Sequence, residues 1–200
     1  IKIRAYMIIV SPFKLCVIYR GVKYMENKKT KVHSFRWIVL AMAWFSFFVI
    51  AMAWYIMPTL EHELLKIYNI SSAQYSTALT IPFLIAGLLS LLGGMLADNI
   101  GIKKTASLGS LIAGIGIILR AGTGGFLSLL LPMMIVGVGM GLIMPNLPKI
   151  VSVWFPPEET GLATGIYNTG LMGGLSTGLV IAPFLPSWQL GNYILGSIVI

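Results

Sequence analysis

Residues 93–104 read GGMLADNIGIKK, a knot of Gly94, Asp98, Gly101, Lys103 and Lys104 tied between two runs that carry no charge. The chemistry these residues can do is charge pairing. An aspartate at a helix end can meet a cation or the positive end of a neighbouring helix. Gly101 permits a tight turn, and Lys103 and Lys104 keep that turn in water. A second polar group lies inside apolar surroundings: Thr77, Thr80 and Ser90 in one run, Tyr167, Asn168 and Thr169 in another. These can offer only hydrogen bonds and an aromatic face. The set of nucleophile, acid–base or metal groups that an enzyme needs is missing from the apolar runs, since His33 lies in the N-terminal tail and His62, flanked by Glu61 and Glu63, lies in a connection between runs. The residues therefore point to binding and switching, with no metal or cofactor.

What surrounds them is lipid. The chain is 57% hydrophobic and 10% charged, with a mean hydropathy of +0.89, whereas soluble domains carry about 25% charged residues. The net charge of +8 does not signal nucleic acid: nine of the fourteen Lys and Arg precede Trp37, and the others sit at the ends of apolar runs. Cys16 is the single cysteine and forms no internal disulfide.

Apolar runs of spanning length occupy about 37–58, 74–97, 104–122, 126–147 and 160–182, and a sixth begins near 189. Each complete run can cross a hydrocarbon core of ~30 Å as a helix. Backbone groups in lipid must bond internally, and the alternation of a barrel strand is absent, so the expected fold is an all-α six-helix transmembrane bundle. The connections alternate in charge: Lys28, Lys29, Lys31 and Arg36, then Glu61 and Glu63, then Asp98 with Lys103 and Lys104, then Lys149. The positive-inside rule puts the N-terminus, the 98–104 turn and the 148–160 loop in the cytoplasm. Glu158 and Glu159 suit the start of the fifth helix by its dipole. Arg120, at the outer end of the third run, is expected to snorkel to the interface, and Trp54 and Tyr55 to join an interfacial belt. The short links at 98–103 and 123–125 predict antiparallel packing of successive helices. Residues 1–36 read as a basic N-terminal segment, of which 1–24 lie upstream of a natural start at Met25; residues 37–200 form the bundle.

Glycine and proline shape the spans. Gly137, Gly139 and Gly141 alternate in the fourth, while Gly165 follows Gly161, and Gly170, Gly174 and Gly178 recur, every fourth residue in the fifth. Residues four apart share a helix face, so these glycines predict a smooth groove for another backbone, either static or sliding. Pro82, Pro132, Pro145 and Pro148 mark bends and ends.

The spacing Gly94–Asp98–Gly101–Lys103–Lys104 resembles the signature between the second and third spans of the major facilitator superfamily. There it acts as a latch that favours the outward-facing state, and the resemblance implies a partner for Asp98 in the other half of the protein. Two family arginines are replaced by Asn99 and Ile102, which weakens the latch or changes its partner. The stretch WFPPEETGLATGI looks like the inner loop and fifth span of cyanate-permease-like and nitrate/nitrite-porter-like facilitators. The resemblance covers 37–200, the N-terminal six-helix half of a twelve-helix protein. Where nitrate porters carry a binding arginine in the second span, this chain has Ser90 and Leu91, and an arginine of many proton-coupled members is Met133 or thereabouts.

In such a fold the first, second, fourth and fifth helices line a central path. The resemblance therefore implies a cavity that uses Thr77, Thr80, Ser90, Tyr167, Asn168 and Thr169, with Asn168 the leading residue. No ionisable side chain is expected deep in the five complete spans. The implied function is secondary active transport of a small solute, an organic or inorganic anion among the options, across the cytoplasmic membrane by alternating access. A non-transporting sensor or scaffold of the same fold is the alternative. The implied partners are a small-molecule substrate, the lipid bilayer and a C-terminal six-helix half.

Overall fold

A computed structural model describes residues 35–200; the readings made for the preceding basic segment, including Met25 and Cys16, lie outside the described residues. The elements are α1 (Phe35–Thr59), α2 (Glu61–Tyr68), α3 (Ser72–Ile100), α4 (Ile102–Arg120), α5 (Phe126–Ile143), α6 (Leu147–Trp154), α7 (Thr160–Ile181) and α8 (Trp188–Val199). Short 3₁₀ turns precede α6 and α7 and follow α7. No strand occurs among the described residues.

Local chemistry sets the boundaries. Ser71 and Gln74 form a capping box that starts α3, with Gln74 N–H on Ser71 Oγ at 3.2 Å and Ser71 N–H on Gln74 Oε1 at 3.0 Å. Gly101, at φ +95°, divides α3 from α4 in a conformation that side chains rarely adopt. Two helices replace expected loops. α2 has Glu61 and Glu63 in its first turn, Lys66 in its last, and Asn69 as a left-handed cap. α6 buries Leu147 and Val151, one turn apart.

Four stretches are long and apolar enough to cross a membrane: α1, α3, α4, and α5 with its continuation to Trp154. α7 has the length, but Gly, Thr and Asn dilute its hydropathy, and α8 covers the twelve residues to Val199.

The main seams join helices that are not consecutive. α7 lies parallel to α1: a β-carbon at Gly170 would meet Trp44 O at 2.7 Å, one at Gly174 would meet Phe48 O, and one at Gly178 would meet Met52 O at 2.9 Å. α5 lies parallel to α3 in the same way, with Gly137 against Pro82 Cα at 2.8 Å and Gly141 against Leu89 Cβ at 2.9 Å. The antiparallel packing expected of neighbours holds for α4 and α5, where a β-carbon at Gly139 would meet Gly109 O at 2.6 Å. It holds only weakly for α3 and α4. α4 and α8 cross where Gly114 and Gly196 face each other's carbonyls. The sets α1-α3-α4 and α5-α7-α8 thus exchange partners, first helix of each with second of the other. They begin at opposite ends of the bundle, the pattern of an inverted repeat.

The core follows from this arrangement. Leu129, Met133, Val136 and Met140 make α5 its central element, joined by Trp54, Ile56, Met57 and Tyr75. Trp54 is therefore a core residue, edge-on to Phe83 at 4.7 Å, and not part of an interfacial belt.

Candidate functional site

Arg36, Asp98 and Lys149 gather at one end of the bundle, the basic end. Lys149, on α6, places Nζ 2.7 Å from Asp98 Oδ1 and donates to Gly94 O at 2.9 Å. Asn146 reinforces the junction: it is fully buried, and its Nδ2 donates to Gly93 O at 3.2 Å and to Leu142 O at 2.7 Å. The turn after α3 is thereby fastened to the end of α5. Asp98 finds its cation inside the bundle, although the resemblance pointed to another half. Lys103 and Lys104 are exposed.

A second clamp at this end joins α1 to α7. Arg36 Nη1 lies 2.8 Å from Glu159 Oε2, with its guanidinium 5.3 Å from the Trp37 ring centroid and 5.2 Å from that of Phe155. Aromatic faces attract a cation by their quadrupole, and more so when water is excluded. Of the two aromatics that open the WFPPEETGLATGI stretch, Phe155 is buried and Trp154 is exposed.

The expected cavity residues do not form one cluster. Thr77 and Thr80 line a hollow of about 330 Å³ with Ser76, Ile81 and Leu84, all from α3. Ser90, Asn168 and Thr169 lie elsewhere, and Tyr167 is a core residue 6.1 Å from the Phe47 ring. Asn168 and Thr169 are exposed. The hydroxyls spend their protons on their own helices: Thr77 on Ala73 O, Thr80 on Ser76 O, Ser90 on Gly87 O and Thr169 on Ile166 O. Asn168 Nδ2 likewise donates to Thr164 O at 3.0 Å, which leaves its carbonyl oxygen and second N–H for a ligand. Trp44 Nε1 donates to Thr169 Oγ1 at 3.0 Å, a bond across the α1–α7 seam.

Of the glycines assigned to packing, Gly137, Gly139, Gly141, Gly170, Gly174 and Gly178 sit in the seams described above. Gly165 does not: a β-carbon there would meet nothing within 4 Å. It lies on the exposed side of α7, away from the Gly170–Gly178 stripe.

The opposite, acidic end holds the largest correction. Arg120 does not snorkel; it is 1% exposed. Its Nε donates to Asn192 Oδ1 at 3.0 Å and its Nη2 to Ala53 O at 2.9 Å, and Nη2 also reaches Asn192 Oδ1. One guanidinium so ties α4 to α1 and α8. Tyr75 Oη donates to Met57 O at 2.6 Å, and the Tyr68 and Thr123 hydroxyls bond at 2.8 Å. An ionisable group at a span end is therefore buried, where exposure at the interface was expected. Its signal was available, since α8 carries Asn192 in a mostly apolar run at the same end.

Residues 40–200 match the profile of the Major Facilitator Superfamily. The nitrate/nitrite transporter NrtP of Picosynechococcus sp. is 32% identical over 140 residues, 66% of this chain and 25% of that protein. The probable sulfoacetate transporter SauU of Cupriavidus necator is 30% identical over 113 residues, 55% of this chain and 26% of that protein. The chain thus aligns with about a quarter of each of these relatives. A crystal structure of a bacterial homolog of the human lysosomal transporter Spinster, inward-facing and occupied, superposes with a TM-score of 0.70 at 20% identity. That superposition covers 84% of this chain and 42% of that one.

Proposed function

The chain belongs to the major facilitator superfamily, and on that premise we propose that it is the N-terminal six-helix part of a secondary transporter. The full protein moves a small anion across the cytoplasmic membrane by alternating access, with a second six-helix half as its partner. The basic end faces the cytoplasm, in keeping with Lys103, Lys104 and Lys149. Small anions are favoured as substrates by the nitrate/nitrite and sulfoacetate transporters among the relatives.

The observation that carries this reading is the Asp98–Lys149 latch on the Gly94–Lys104 turn, 2.7 Å across. It is a partly exposed ion pair at a helix junction, weak enough to open and close within a cycle. Asn168, Thr77, Thr80 and Ser90 are the polar groups this half gives to the path. Parallel seams along Gly170–Gly178 and Gly137–Gly141 let each helix pair move as one body.

Reconstituted uptake tests the proposal. Vesicles holding the full-length protein should accumulate at least one of nitrate, phosphate and sulfoacetate and exchange it with internal anion. No uptake and no exchange for any of them would favour a sensor or scaffold.

A further inference from the structure

We propose that Arg120 is a selectivity device: its positive charge, buried against α1 and paired with no carboxylate among the described residues, raises the affinity of the transport path for anions without touching them. This rests on the reading of the protein as an anion transporter.

A guanidinium at 1% exposure inside a bundle is costly unless it has a use. Among the described residues no carboxylate pairs with it. Glu61, on the adjoining α2, accepts from Ser72 Oγ at 2.9 Å and makes no ion pair with Arg120. Its chief partner is the amide of Asn192, itself 2% exposed. Asn192 Nδ2 donates to Trp188 O at 3.0 Å, which turns the carbonyl oxygen toward Arg120. Aspartate would have the same shape and be the stronger acceptor. Asparagine keeps the geometry and leaves the charge whole.

The cation is tolerated because Arg120 ends α4, where the helix dipole is negative, and meets a carbonyl of α1. Those partial charges act over one turn; the field of a whole charge reaches further through low-dielectric surroundings. Ala53 belongs to α1, so a ligand on the far side of that helix would sit about one helix diameter, ~10 Å, from the guanidinium.

Two variants of the full-length protein separate charge from architecture. Asn192→Asp keeps the acceptor and cancels the charge; Arg120→Lys keeps the charge and loses the fork. At ~10–15 Å and an effective dielectric near 20, cancelling one charge should raise KM for an anion about tenfold. The expected result is that rise in Asn192→Asp with kcat nearly unchanged and a monodisperse protein, while Arg120→Lys keeps KM near the parent value. A purely structural clasp predicts the reverse, with Asn192→Asp unaffected and Arg120→Lys unstable. An unchanged KM in folded Asn192→Asp overturns the proposal while leaving anion transport standing. Failure of the parent protein to carry nitrate, phosphate or sulfoacetate overturns both.

Discussion

Lys149 Nζ bridges Asp98 Oδ1 at 2.7 Å and Gly94 O at 2.9 Å, so one ammonium holds both an acid and a backbone carbonyl four residues apart on α3. The Asp98 side chain is 69% exposed and that of Lys149 34%, which limits the pair to ~0–1 kcal/mol. A weak tie suits a latch better than a staple. Asp98→Asn should leave thermal stability within about 1 kcal/mol of the parent yet shift the full-length protein toward its inward-facing state. Cysteine accessibility along α7 reads that shift, and identical labelling in parent and variant would leave only a topological role. The reciprocal exchange, Asp98→Lys with Lys149→Asp, should restore the parent pattern.

The glycine seam makes a sharper demand. Any β-carbon at Gly174 would collide with Phe48 O and crowd Ala51. Gly174→Ala should therefore cost ~1–3 kcal/mol through overpacking, seen as a lower melting temperature in detergent. Gly165→Ala is the control, because it meets open space; its melting temperature should match or slightly exceed the parent's.

Asn168 donates only to its own helix and faces outward. Within this half it therefore contributes no interhelical bond. Asn168→Ala should leave stability within about 0.5 kcal/mol and lower uptake affinity. Unchanged uptake would remove Asn168 from the path.

At the acidic end, burial pushes the Tyr68 phenol up to about 12, opposed by its hydrogen bond with Thr123 and by the Arg120 cation. The folded state thus holds the phenol proton more tightly than the unfolded chain, whose value is near 10. By linkage, that contribution is complete below pH ~10 and is lost as pH rises toward ~12. Alkaline unfolding of the parent should show this loss, and Tyr68→Phe should flatten the profile between those limits.

The span pattern was legible because membrane insertion is decided locally. Hydropathy, length and charge in a window of some twenty residues suffice, and helices fall within a few residues of the expected runs. α2 and α6 escaped because they are eight residues each and lie among loop-like prolines and charges. Their buried Leu64–Tyr68 and Leu147–Val151 pairs were the available sign. Gly165 was grouped with Gly170, Gly174 and Gly178 by residue type, yet 165 to 170 is five residues. That is a step of well over one turn, which rotates Gly165 off the stripe.

Which helix meets which could not be read along the chain. The α1–α7 and α3–α5 seams join segments about 125 and 55 residues apart, and they depend on two surfaces fitting together. The same holds for charge. The sequence determined that Asp98, Lys149, Arg36 and Arg120 stand at span ends, because a charge in lipid is costly wherever the chain leads. Only the tertiary structure decided that Asp98 pairs with Lys149, that Arg36 pairs with Glu159, and that Arg120 turns inward to Asn192. A side chain at a helix end can reach water or a neighbour with equal ease, and the neighbour comes from packing.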